Sequence, residues 1–187
     1  MRDLYTYFDG RVLVDFDPAT TLDKSSNYLF ALSPHGIMPL TGAWLPSHPD
    51  FVKVFGDFDV FMLGATVLNM TPFLRDLAQW AGVRQVTRRT FTSTLQDGKT
   101  VLMIPGGVAE LTVSDSREKK VNLIYNHKGF VKVALETGTS IIPMFSFGET
   151  QYFVRAFLFF FFFLFALPLN TNKTKTKTNR TTCASPM

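Results

Sequence analysis

Tyr28-Leu29-Phe30-Ala31-Leu32-Ser33-Pro34-His35-Gly36 is the stretch on which the fold turns. Five apolar residues in a row, closed by Pro34, read as a buried strand that delivers His35 and Gly36 into the turn beyond it. Working outward, residues 72–81 predict a helix with Pro72 at its start and Gly82 as its stop. Val83 to Val86 is a short strand candidate, and Thr90 to Gln96 a helix candidate closed by Asp97-Gly98. Thr100 to Ile104 predicts a strand that stops at Pro105-Gly106-Gly107, and Val121 to Tyr125 predicts another. Residues 129–137 carry apolar side chains at 130, 131, 134 and 135, one helical face, with Gly138 as the cap. Ser140 to Phe145 predicts a last strand. Strands and helices in this alternation point to an α/β sandwich with a largely parallel central sheet.

The chain of 187 residues fits one domain with a sizeable core. Its formal charge of +4 is unevenly spread. Residues 1–150 hold 14 Lys and Arg against 15 Asp and Glu, a balance of −1, and residues 151–187 hold 5 Lys and Arg and no acids. The high isoelectric point therefore belongs to the tail, and the main domain shows no basic surface for nucleic acid. The single cysteine, Cys183, excludes an internal disulfide framework and a Cys-x-x-Cys metal site. His35, His48 and His127 are far apart and lack zinc spacing, so no metal is expected. Residues 1–20 carry no signal-peptide pattern. The one candidate membrane segment, Ala156 to Leu169, falls short of the roughly 20 apolar residues of a spanning helix. Beyond it, Asn170 to Thr178 alternates Thr with Asn or Lys, and the tail reads as low complexity.

Three local patterns bear on chemistry. His35 follows a buried strand and precedes residues where a helix could start, which seats the ring firmly; the same pattern suits a histidine that caps a turn. Pro105-Gly106-Gly107 follows a strand and bares backbone N–H groups, which could meet an anion or a developing oxyanion, or form an ordinary turn with Glu110 solvated. Asp97-Gly98-Lys99-Thr100 ends like a P-loop, but Ser93 stands where that loop needs Gly and the strand follows it. No Gly-x-Ser-x-Gly elbow exists, which argues against an α/β-hydrolase.

Four blocks in fixed order say more: Ser33-Pro34-His35-Gly36; Pro72-Phe73-Leu74-Arg75-Asp76; Pro105-Gly106-Gly107-Val108-Ala109-Glu110; and His127-Lys128-Gly129-Phe130 running on to Ser146-Phe147-Gly148-Glu149. Together they resemble the diacylglycerol acyltransferase type 2 family, within the glycerolipid acyltransferase superfamily. The resemblance covers roughly residues 5 to 153, with the family's N-terminal membrane hairpin and the C-terminal part of its domain missing. The chain is thus expected to be a partial acyltransferase domain over 1–153, an incomplete glycerolipid-acyltransferase-like layered fold, with a non-family tail over 154–187.

The resemblance implies an acyl-CoA-dependent O-acyltransferase that moves a fatty acyl group to the hydroxyl of diacylglycerol. It implies no cofactor beyond acyl-CoA as co-substrate. A membrane surface is the expected partner, and the endoplasmic reticulum membrane or a lipid droplet the expected location. His35 takes the place of the general base, which a neutral imidazole at a helix start suits. The family usually has a first histidine where Ser33 stands, and the superfamily has an Asp five residues on, where Leu40 stands, so adjacency gives His35 no carboxylate. Glu110 could orient His35 or bind the acceptor lipid. Gly36, Gly106 and Gly107 allow close approach of substrate to backbone. Arg75 and Arg88 match family arginines, the latter near the substrate's polar group. Lys128 could hold a CoA phosphate, or simply be a solvated helix-start lysine. Glu149 is the one plausible functional group of the last block. The alternatives are acyl transfer to monoacylglycerol or a long-chain alcohol, an inactive membrane- or lipid-droplet-associated fragment, and an α/β binding domain whose motifs are coincidental.

Overall fold

Tyr28–Ser33 forms β1, and its two sides face two different cores. Tyr28, Phe30 and Leu32 join Trp44, Leu45, Phe51, Phe55, Met62 and Leu102 on one face. Leu29 joins Leu63, Phe91, Leu95, Val101, Val133 and Ala134 on the other. A strand buried on both faces has no polar side to show, which is why it reads as an unbroken apolar run. Leu29 and Phe30 are fully buried, and each such side chain contributes about 1.5–3 kcal/mol.

The structure is a computed structural model and describes residues 6–36, 39–66, 68, 72–80, 82–113, 121–124 and 126–151. β2 is Val60–Gly64, β3 Arg84–Gln85, β4 Thr100–Met103 and β5 Ser140–Phe145. The five strands form one sheet in the order β3-β2-β4-β1-β5, and every pairing is parallel. The expected α/β architecture with a parallel central sheet is therefore the observed one.

Helices cover both faces. α1 is the short Pro18–Thr21. α2 (Leu40–Trp44) and α3 (Pro49–Phe55) lie over the first core. In α3, Pro49 sits at the helix start, where its missing N–H costs nothing, and the His48 ring accepts the Asp50 N–H as N-cap. Phe51 and Phe55, one turn apart, meet Phe30 edge-on at ring-centre distances of 5.7 and 4.9 Å. α4 is Pro72–Trp80. α5 (Arg88–Gln96) is capped by the Thr87 hydroxyl and buries Phe91, Thr94 and Leu95 on the second face. α6 is Gly107–Val113. α7 (Gly129–Thr137) ends at left-handed Gly138, with φ of 66°.

Three expectations are corrected. Residues 121–124 are not a strand: β1 already has β4 and β5 as neighbours, and the Ile124 N–H is taken by a side chain. α7 buries Val133 and Ala134 and leaves Leu135 exposed, so 133 takes the place of 135 in the expected stripe of 130, 131, 134 and 135. The expected location is corrected as well, as far as integral placement in the endoplasmic reticulum membrane goes. Among the described residues no helix is long and apolar enough to cross a membrane. The nine-residue helices reach about 13 Å at 1.5 Å per residue, less than half of a bilayer core of roughly 30 Å. The expected tail segment, Ala156 to Leu169, lies outside the described residues.

Candidate functional site

Because all five strands are parallel, their C-terminal ends share one edge of the sheet. In open α/β sheets that edge is where ligands bind. β1 lies between β4 and β5, so the turns after these three strands are neighbours. His35 and Gly36 follow β1, Pro105-Gly106-Gly107 follows β4, and Ser146 to Glu149 follows β5. The Ser146 N–H donates to the Ser33 carbonyl at 2.8 Å, carrying the β1–β5 ladder into the turns.

His35 Nδ1 lies 2.8 Å from the Gly36 carbonyl oxygen. A carbonyl can only accept, so Nδ1 carries the proton, and in the neutral ring Nε2 keeps the lone pair. Burial pushes the ring's pKa below the ordinary histidine value of 6.5, against the opposing pull of the Gly36 carbonyl and the Glu110 charge. At neutral pH His35 is thus an uncharged imidazole with a basic Nε2.

Glu110, at 1 % exposure, holds this turn from the β4 side. Its Oε2 accepts the His35 backbone N–H at 2.8 Å, and its Oε1 accepts the Ile124 N–H at 3.0 Å. The carboxylate therefore grips the main chain of His35 rather than its ring. Gly106 makes room for it: a Cβ there would lie 1.8 Å from Glu110 Cδ. Gly107 has φ of +52° with open space around its Cα, and its N–H closes the turn on the Ile104 carbonyl at 3.1 Å. The first glycine is needed for space, the second for backbone conformation.

On the β5 side stands Glu149, also 1 % exposed. It accepts hydrogen bonds from the Thr41 hydroxyl and, at 3.0 Å, from the Ser146 hydroxyl. The Thr41 N–H reaches its Oε1 at 3.4 Å, and the two hydroxyls are 2.8 Å apart. Burial pushes the Glu149 carboxyl above its ordinary value, and the hydroxyl donors pull the other way. Gly36, with φ of +59°, abuts this residue: a Cβ there would lie 2.8 Å from the Glu149 carbonyl oxygen and 3.1 Å from its Cγ.

Three of the four sequence blocks thus converge on one edge around a basic imidazole. The profile of the family described as diacylglycerol acyltransferase matches residues 2–157. The chain belongs to the diacylglycerol acyltransferase family. Diacylglycerol O-acyltransferase 1 of Schizosaccharomyces pombe is 32% identical over 154 residues, covering 80% of this chain and 44% of the yeast protein. Diacylglycerol O-acyltransferase 2-like protein 6 of Mus musculus is 31% identical over 79% of this chain and 45% of its own length. The human 2-acylglycerol O-acyltransferase 1 is 28% identical over 80% of this chain and 46% of its own. No solved structure matches. This family member spans less than half the length of the curated relatives it matches.

The remaining residues expected at the site of this diacylglycerol acyltransferase family member fall in two groups. Lys128 is the N-cap residue of α7 and exposed, and its neighbour His127 donates from Nδ1 to the Pro105 carbonyl at 3.2 Å. That contact brings the fourth block against the Pro-Gly-Gly turn. Arg75, in α4, is exposed and bonded to Asp76 at 3.1 Å. Arg88 opens α5 and binds both carboxylate oxygens of Glu136 in α7 at 2.9 Å. Among the described residues, no hydrogen bond joins either arginine to the His35 turn. Thr41 and Ser146 were not singled out from sequence. Nothing local marks Thr41, whose role comes from a carboxyl 108 residues away, whereas Ser146 lies in the same block as Glu149, three residues before it. Among the described residues no group of three His, Cys, Asp or Glu side chains is arranged to hold a metal.

Proposed function

We propose that this chain carries the acyl-transfer centre of an acyl-CoA-dependent O-acyltransferase whose acceptor is the hydroxyl of a neutral glycerolipid, diacylglycerol in the first reading. The observation that carries the proposal is the His35 ring, half-buried, neutral and committed through Nδ1–H to the Gly36 carbonyl, with Nε2 as base. In the reaction, Nε2 takes the acceptor's hydroxyl proton as that oxygen attacks the thioester carbonyl. The oxygen–carbonyl bond forms, the carbon–sulfur bond breaks, and the CoA thiolate leaves with the proton returned from His35. Glu110 serves by fixing the main chain of His35. Gly107, with open space at its Cα, leaves room for the acyl carbonyl, with Lys128, Arg75 and Arg88 as the cations available to the CoA phosphates or the acceptor's polar group.

A second reading is transfer to monoacylglycerol. It is favoured by the relatives named 2-acylglycerol O-acyltransferase 1, from human and cattle, which match over the same 80% of this chain as the first yeast protein does. The test is to give the purified chain radiolabelled acyl-CoA with diacylglycerol, 2-monoacylglycerol or a long-chain alcohol, and to separate the lipids. His35→Ala should lower product formation by about 10²–10⁴. Activity of that variant within about tenfold of wild type removes His35 as base. A wild-type chain inert toward all three acceptors refutes turnover by this chain and leaves the non-catalytic fragment.

A further inference from the structure

Glu149 touches both the turn after β1 and the start of α2. At the first its carbonyl and Cγ pack on the Cα of Gly36. At the other its carboxyl takes the hydroxyl and N–H of Thr41, with Ser146 completing the set. We infer that Glu149, acting with Thr41 and Ser146, is a positioning residue that holds the Gly36 carbonyl where His35 Nδ1–H can use it. The inference rests on the proposed role of His35 and adds to it the group that seats its ring.

The physical reason lies in Gly36. A glycine has the widest backbone freedom, and the carbonyl that fixes the His35 tautomer belongs to one. Whatever restrains Gly36 restrains the ring. Glu149 fills the space beside its Cα, and the Thr41 bonds tie that glutamate to α2. Glu110 acts from the opposite side and on the His35 N–H alone, so it fixes where His35 starts and leaves the Gly36 carbonyl to Glu149. A buried carboxyl bridging two hydroxyls is expensive to desolvate, and a merely space-filling side chain at this place would be apolar.

Nitrogen NMR of the histidine rings tests this in the full chain, with His48 and His127 as internal references. Wild type should show His35 protonated at Nδ1 when neutral and titrating below 6.5. Glu149→Ala should shift His35 toward the Nε2–H tautomer and, by freeing the Gly36 carbonyl that favours the protonated ring, lower its titration midpoint further, with His48 and His127 unmoved. Glu149→Gln, which keeps size and hydrogen-bonding capacity, should keep the wild-type signature. Where wild type turns over, kcat of Glu149→Ala should fall roughly 10- to 100-fold with little change in KM, and Glu149→Gln should recover it. Should Glu149→Ala not fold, Thr41→Val removes one arm of the set and should move His35 in the same direction by less. A folded Glu149→Ala or, in its place, Thr41→Val with wild-type His35 tautomer and titration overturns the inference, as does a Glu149→Gln as disruptive as Glu149→Ala. The ring signals need no turnover, so an inert wild-type chain defeats the proposed reaction while leaving this inference to stand or fall on the spectra.

Discussion

Glu110 and Glu149 are equally buried and stand on either side of one turn, yet hydroxyls meet only the second. Glu110 is met by backbone N–H groups of His35 and Ile124, which can only donate. Glu149 is met by backbone N–H groups of Leu40 and Thr41 too, but also by the hydroxyls of Thr41 and Ser146, which can donate or accept. Backbone donors fixed by the fold demand an acceptor whatever the pH. Hydroxyls can turn to suit either a carboxylate or a carboxylic acid. One glutamate is therefore a clamp on the main chain. The other is a restraint that tolerates a change of protonation.

The largest effect should come from breaking the clamp. Glu110→Ala leaves the His35 and Ile124 N–H groups without their partner, at about 1–3 kcal/mol each. We expect a loss of roughly 2–5 kcal/mol in chemical denaturation, together with loss of any acyl transfer. A variant as stable as wild type would mean that water replaces Glu110 freely and that the clamp is not one.

A smaller effect separates the glycines. Gly36→Ala combines left-handed backbone, at φ of +59°, with a Cβ 2.8 Å from the Glu149 carbonyl oxygen. Its cost should be roughly 2–4 kcal/mol. Gly107→Ala has the same kind of φ, +52°, but open space, so only the backbone cost of about 1–2 kcal/mol applies. Equal thermal shifts for the two would show that Glu149 does not press on Gly36.

Much of this arrangement was legible in the chain. Tyr28 to Leu32, Thr100 to Ile104 and Ser140 to Phe145 announce themselves as strands because a Pro or Gly follows each apolar run within three residues. His35, Glu110 and Glu149 were visible as blocks. What sequence could not supply is which atom each group touches. Glu110 was read as a group for the imidazole or for lipid, whereas it binds a backbone N–H. The orienter of the His35 ring is a carbonyl, which every residue carries and no pattern marks. β2, at Val60–Gly64, went unread although it is apolar, since a five-residue run after α3 has no period to distinguish strand from helix end. The composition of Val121 to Tyr125 suits a strand, but over 121–124 the Ile124 N–H goes to the Glu110 carboxyl and not to a neighbouring strand.

The hydroxyl-lined site gives a pH signature. Burial raises the Glu149 pKa above its ordinary 4.5 in the folded chain, so the folded state binds the proton more tightly than the unfolded one. The stability this contributes is full below 4.5 and is lost as pH rises through the raised folded value. Glu149→Gln mimics the protonated carboxyl and removes that dependence. Its stability should sit within about 1–2 kcal/mol of wild type at neutral pH, with the difference moving in the variant's favour as pH rises from 4 to 7. A difference that moves the other way would mean that the site prefers the carboxylate, and the contrast with Glu110 would collapse.

The smallest effect belongs to Arg88, whose pair with Glu136 lies outside both glutamate sites. The guanidinium is bidentate at 2.9 Å, but the side chains are 65% and 41% exposed. Water screens such a pair, and ordering two long side chains offsets what remains. Arg88→Ala should therefore change stability by no more than about 1 kcal/mol, a small fraction of what Glu110→Ala costs. Its kinetics decide the separate matter of substrate contact. Bound to Glu136, Arg88 must give up that partner to reach a CoA phosphate or an acceptor's polar group, so each gain at the substrate is offset by a loss at α7. We expect KM for acyl-CoA to rise by less than about threefold, equivalent to under 1 kcal/mol, with kcat unchanged. A rise of about tenfold or more, 1.4 kcal/mol, would place Arg88 on the substrate and make Glu136 the partner it leaves when substrate arrives.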